Sequence, residues 1–174
     1  MNSIKQSSSQ QSSELDSDKN ICLKPEKPEK YMNLAKFCYL YTHPNYKYSV
    51  VCIESKYFIK KKLKRNPNVY DTVYAHIVKT LQNALSISNE KYHCNEFIVF
   101  LDMKHSTMKQ LDTTFAKTLI VILQSTFTDN LKYCIVKNAP KLFKIIYRII
   151  YPFIDKVTRK KFVFEKKGAL TLVE

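Results

Sequence analysis

Apolar residues in this chain alternate between short solid runs and longer stretches of helical spacing. Tyr48 to Ile53 reads YSVVCI, Phe97 to Leu101 reads FIVFL, and Leu131 to Val136 reads LKYCIV. Each is short, rich in β-branched residues, and apolar without a polar alternate, as a strand covered on both faces is. Lys161 to Phe164 predicts a fourth strand. Between the runs the period changes. Val73, Ile77, Leu81 and Leu85 recur every four residues from Tyr70, with Asp71 in the first turn, where it complements the helix dipole. A second helix, opening at Ser106 or Asp112, covers Leu111, Phe115, Leu119, Ile122 and Leu123. Pro140 suits the first turn of a third, which holds Leu142, Phe143, Ile146, Ile149 and Ile150 and stops at Pro152. Tyr31, Leu34, Ala35 and Cys38 also fall at helical spacing, reaching towards Tyr41, before His43-Pro44-Asn45 breaks the pattern. Ser55 to Leu63 fits neither period.

Strands that alternate with helices predict an α/β fold, a mixed or mostly parallel sheet covered by helices. Residues 1–30 stand outside it. Met1 to Asn20 is Ser- and Gln-rich with too few apolar side chains to offset the entropy of ordering, and is expected to be disordered. Lys24-Pro25-Glu26-Lys27-Pro28-Glu29 continues it as a stiffer linker. The expected organisation is a tail of residues 1–30 and one domain of residues 31–174.

Composition narrows the chemistry. Of 174 residues, 45% are apolar and 13% aromatic, enough for one core. The longest apolar run, Leu119 to Leu123, is far short of the roughly 18 residues of a membrane span, and Met1 to Ser13 has no signal-peptide core. The expected location is the cytosol, with peripheral attachment to membranes. The odd, scattered set Cys22, Cys38, Cys52, Cys94 and Cys134 reads as free thiols in a reducing compartment. Gly168 is the single glycine, which excludes a P-loop, a dinucleotide-binding fingerprint and a nucleophile elbow, each of which needs at least two. His43, His76, His93 and His105 make no metal-ligand spacing with the cysteines. Asp102, at a strand end, fits a structural or pocket-rim role. No cofactor and no catalytic residue is implied, and the chain is not expected to be an enzyme.

Charge adds a partner. The net charge is +14, while residues 1–30 hold five lysines and five acids, so all of it lies in residues 31–174. Such a domain attracts phospholipid surfaces, nucleic acid or acidic proteins. Lys60, Lys61, Lys62, Lys64 and Arg65 fall within six residues. Lys141, Lys144 and Arg148 share one helix face, and Lys156, Arg159, Lys160, Lys161, Lys166 and Lys167 form a further group. Each basic residue near an anionic leaflet contributes about 1 kcal/mol. Lys60, Lys61, Lys62, Lys64, Arg65, Lys144 and Arg148 are the expected membrane-docking cations. Aromatics interleaved with lysines in Tyr46-Lys47-Tyr48 and Lys56-Tyr57-Phe58-Ile59-Lys60 keep nucleic acid as the rival partner, though no zinc knuckle or RNA-binding signature accompanies them.

Several blocks agree together with one family. Leu131 to Pro140 reads LKYCIVKNAP, a strand ending in Asn138-Ala139-Pro140. Leu142-Phe143, Tyr147 and Tyr151-Pro152-Phe153-Ile154-Asp155 follow, then Thr158 and Lys161 before the last strand. Upstream, Phe97 to Asp102 is an apolar strand ending in Asp, and Gln124 to Leu131 closes a helix. This order resembles the CRAL-TRIO lipid-binding family. The resemblance implies a CRAL-TRIO-type fold and the binding or transfer of a phospholipid or other small lipid. It maps the headgroup residues of phosphatidylinositol-binding members onto Asp129, Thr158 and Lys161. A lipid groove is expected between two apolar helices, lined by Phe115, Leu119, Ile122, Leu142, Phe143, Ile146, Ile150 and Phe153. Asn138, Ala139 and Pro140 form the motif that turns strand into helix. Asp102 lacks the family's following glycine, Phe127-Thr128-Asp129-Asn130 replaces Tyr-Pro-Glu-Arg, and few residues follow Phe164, so a domain truncated at its C-terminal end is expected. Divergent members of this family serve as protein-interaction modules, the alternative function.

Overall fold

The computed structural model describes residues 32–41, 47–58, 60, 68–107, 110, 112–141 and 143–165. Helix α1 (Leu34–Phe37) leads into strand β1 (Cys38–Tyr41), then β2 (Ser49–Glu54), a 3-10 turn (Ser55–Tyr57), α2 (Asn68–Tyr92) and β3 (Phe97–Asp102). Helix α3 (Thr113–Phe127), β4 (Leu131–Lys137), α4 (Phe143–Ile150), a 3-10 turn (Tyr151–Phe153), α5 (Lys156–Lys160) and β5 (Phe162–Phe164) complete it. The strands lie in the order β1-β2-β3-β4-β5. β1 runs antiparallel to β2, pairing Cys38 with Ile53 and Tyr41 with Val50. β2 to β5 are mutually parallel, as strands joined by helical crossovers are. The tail of residues 1–30 lies outside the described residues.

One expected helix is corrected. The helical spacing of Tyr31 to Tyr41 yields a single turn, α1, and the chain then becomes β1. Asn33 caps the turn, its Oδ1 accepting from the Lys36 N–H at 3.0 Å. The Cys-Tyr-Leu-Tyr segment that follows favours a pleated surface, and across the pair the Tyr39 hydroxyl donates to Glu54 Oε1 at 2.7 Å. Pairing with β2 satisfies backbone that a lone helix on this short segment would leave exposed.

The strands carry no polar alternate because both faces are buried. Val51, Ile53, Phe97, Val99, Cys134 and Val136 meet Val73, Ile77, Leu81 and Ala84 of α2, Phe115 and Phe127 of α3, and Phe143 of α4. Val50, Ile98, Phe100 and Ile135 point the other way and form a second cluster.

Polar side chains fix the ends of the elements. The Ser49 N–H donates to Ser88 Oγ at 3.0 Å, pinning the start of β2 to α2. Asp112, rather than Ser106, opens α3. Its Oδ1 accepts from the N–H groups of Thr114 and Phe115 at 3.0 and 3.1 Å, while the Tyr70 hydroxyl donates to Oδ2 at 3.0 Å. Asp155 caps α5 in the same way, accepting from Val157 and Thr158 at 2.8 Å. Pro140 lies just upstream of α4, its carbonyl accepting from the Phe143 N–H at 2.8 Å. Pro152 converts the end of α4 into a 3-10 turn.

Candidate functional site

An apolar cavity of about 90 Å³ lies between the sheet and α3. Phe97 and Val99 of β3 and Leu131 and Cys134 of β4 form its floor, with Leu81 of α2 beside them. Ile120, Leu123, Gln124 and Phe127 of α3, with Thr128, form one wall. Ile154, Thr158 and Phe162 form the opposite wall. Burial pushes the Cys134 thiol up to about 12, so it stays neutral and behaves as part of the apolar floor.

The polar groups of the site join one wall to the other. Gln124 donates from Nε2 to the Phe153 carbonyl at 3.0 Å and accepts at Oε1 from the Asp155 N–H at 2.8 Å. One turn on, the Thr128 hydroxyl donates to the Gln124 carbonyl. The Thr128 carbonyl in turn accepts from Lys161 Nζ at 3.2 Å. Thr158 is buried in the opposite wall and its carbonyl accepts from the Lys161 N–H at 3.0 Å. The Thr158 side chain beside the Asp155 carboxyl, with the helix N–H groups, holds that carboxyl below its ordinary range.

Of the expected headgroup residues, Thr158 lines the cavity, Lys161 reaches across to Thr128, and Asp129 is exposed one residue beyond Thr128. The expected groove lining is rearranged. Phe115 is buried, stacked on Tyr74 with ring centroids 4.8 Å apart. Leu119 packs against the main core and Ile122 is half-buried. Phe143, Ile146 and Ile150 are buried. Phe153 is exposed, with the Lys117 ammonium 4.5 Å from its ring. Leu142 lies outside the described residues. Of the described residues in this set, none lines the cavity. Helix α3 carries a broad apolar stripe, and the face it turns to the cavity is about 120° around from Phe115, Leu119 and Ile122. Helix α4 instead packs into an aromatic cluster in which Tyr147 meets Phe164 at 5.1 Å, Tyr151 at 5.7 Å and Phe162 at 5.8 Å.

Lys144 and Arg148 are exposed on α4. So is Ile145, at 52%, and so is Ile149, which the helical spacing had grouped with Phe143, Ile146 and Ile150. Tyr151, Phe153 and Val157 (55%) extend this exposed apolar surface. Lys60 faces inwards, its Nζ 3.8 Å from Asp112 Oδ2, while Lys61, Lys62, Lys64 and Arg65 lie outside the described residues. Asn138 leaves β4 with a positive φ of 54° and donates from Nδ2 to Asp102 Oδ1 at 2.9 Å. With exposed Ala139 and with Pro140 it builds the strand exit. Among the described residues no cluster of His, Cys, Asp and Glu suits a metal, and no helix is long and apolar enough to cross a membrane.

The family model for the CRAL/TRIO domain matches residues 34–173, and the chain belongs to that family. At the family level these are lipid-binding and lipid-transfer domains rather than enzymes. Among solved structures, "Crystal structure of Sfh5" is similar at 24% identity and a TM-score of 0.63, over 75% of this chain and 47% of that one. The likeness shows the fold, and this chain spans about half the length of that protein. No curated protein matches the chain.

Proposed function

We propose that this domain binds a lipid with a phosphate-bearing headgroup and docks on anionic membrane surfaces to load or release it. The observation that carries this reading is the carbon-lined cavity with a lysine at its edge. Thr158 lies in the wall, and the Lys161 ammonium is held at the Thr128 carbonyl, one residue from Asp129. An ammonium suits a phosphate, while a hydroxyl and a carboxylate suit inositol hydroxyls, so phosphoinositides are the headgroup class these side chains favour. The exposed face of α4 supports docking: Ile145 and Ile149 sit beside Lys144 and Arg148, with Phe153 and Val157 beyond. Apolar side chains at that position enter the headgroup layer while the cations meet phosphate. The working site is the membrane surface facing the cytoplasm.

Co-sedimentation with vesicles of phosphatidylcholine alone, and of phosphatidylcholine with phosphatidylinositol 4-phosphate, tests this at matched salt beside a nucleic-acid gel shift. Retention on the anionic vesicles is expected, together with transfer of labelled lipid between vesicles. Binding to nucleic acid without retention or transfer would replace the lipid reading.

A further inference from the structure

Gln124 has an unusual place in the cavity. Its side chain lines one wall, and both of its polar atoms are bound to the backbone that carries the other, at Phe153 and Asp155. Lys161 makes a second tie in the opposite direction, to the Thr128 carbonyl. Between these ties sit Ile154 and Thr158, the side chains that close the cavity. Phe153 and Val157, which flank that wall in sequence, are exposed. The ties resist widening of the space between the two walls. The bonds from the Asp155 N–H and from Lys161 are partly buried, where a hydrogen bond holds more strongly than in water.

The pocket is partly open to solvent, and its volume of about 90 Å³ is well below the roughly 300 Å³ at which ordinary ligand pockets begin. It admits the end of one hydrocarbon chain; two side by side would require the walls to part. We propose that the Gln124 clasp makes this a single-chain site, so that its ligand class is an amphiphile with one acyl chain and an anionic headgroup, and that Gln124 is the residue determining this specificity. The proposal rests on the lipid-binding reading above and narrows it. It also runs against the usual trend, in which a second chain tightens binding by adding apolar area.

The test uses the full chain and two soluble ligands that share a headgroup, octanoyl lysophosphatidylinositol and dioctanoyl phosphatidylinositol, each displacing the fluorescent fatty acid cis-parinaric acid. Wild type is expected to prefer the single-chain lipid by about tenfold or more, a preference set by the walls rather than by area. Gln124→Ala removes both bonds and is expected to bring the ratio close to one by admitting the two-chain lipid. Gln124→Glu keeps an acceptor for the Asp155 N–H, loses the donor to the Phe153 carbonyl, and should fall between. Melting curves establish that each variant is folded, and if Gln124→Ala is not, Gln124→Glu decides alone. Equal binding of both lipids by wild type, or a ratio unmoved in a folded variant, overturns the clasp and leaves the lipid reading standing. Failure of wild type to bind the probe or either lipid overturns both.

Discussion

Lys161 shows how one side chain can serve shape and chemistry together. Its ammonium satisfies the Thr128 carbonyl, which helix α3 leaves unpaired at its end, and the same charge lies where a headgroup phosphate would approach. Lys161→Met keeps the stem and removes the charge. Retention on vesicles containing phosphatidylinositol 4-phosphate should fall about tenfold, as loss of a charge-assisted bond does, with the fold retained and the melting temperature lowered by about a few degrees for the carbonyl left unpaired; an unchanged affinity would take Lys161 out of the site. Asp155 makes a different prediction. Asp155→Ala removes the cap of α5 and should destabilise the fold by about 1 kcal/mol at neutral pH. The folded carboxyl titrates below its usual 3.8. Its stabilisation is therefore present above that value and is lost as pH falls through the lower folded one. Urea titrations at pH 7 and near pH 3 should show the gap between wild type and variant shrinking with acid. Thr158 and Lys161 were legible as candidates because the family's spacing selects them. Gln124 was read only as the start of the helix-closing block, because an amide at a helix end carries no sign in sequence that both its polar atoms will meet one backbone segment far along the chain.

Helices α3 and α4 show where periodicity stops informing. It locates both, and the Asp112 cap fixes the start of α3. It does not fix which part of a broad apolar stripe meets which neighbour, so α3 turns Ile120, Leu123 and Phe127 to the cavity and Phe115 to α2. Helix α4 carries five large apolar side chains in eight residues, Phe143, Ile145, Ile146, Ile149 and Ile150, more than one buried stripe can take. Ile145 and Ile149 are the surplus, and their exposure came from the structure alone. The double substitution Ile145→Ser and Ile149→Ser should leave thermal stability nearly unchanged, because neither side chain is in the core. It should cut vesicle retention severalfold, as deleting inserted apolar area does. If the variant still sediments with vesicles as wild type does, α4 is not the docking face. Helix α1 and β1 show the opposite limit: an aromatic-rich segment of helical spacing became an edge strand because pairing with β2 satisfied more of its backbone.

At the scale of the whole molecule, solid apolar runs separated by helical stretches led correctly to a mostly parallel sheet, because the crossover helices cover one face of the inner strands and Val50, Ile98, Phe100 and Ile135 are buried on the other. The antiparallel edge strand was not legible, since nothing in Cys38 to Tyr41 encodes direction. The net charge of +14 gives the domain a long-range attraction for anionic surfaces, which salt screens within about 10 Å at 0.1 M. Vesicle retention should therefore weaken steadily between low and physiological salt, while occupancy of the cavity by a chain already bound should not, because that contact is apolar. Loss of both together would mean that charge alone holds the ligand. The central claim is that the space between α3 and the Ile154–Thr158 wall takes a lipid chain, and mass spectrometry of the intact protein purified from cells under non-denaturing conditions, followed by solvent extraction, tests it most directly. The account predicts a bound species adding the mass of one amphiphile, released by solvent and displaced by cis-parinaric acid. A chain that shows only its own mass and takes up no parinaric acid would contradict it.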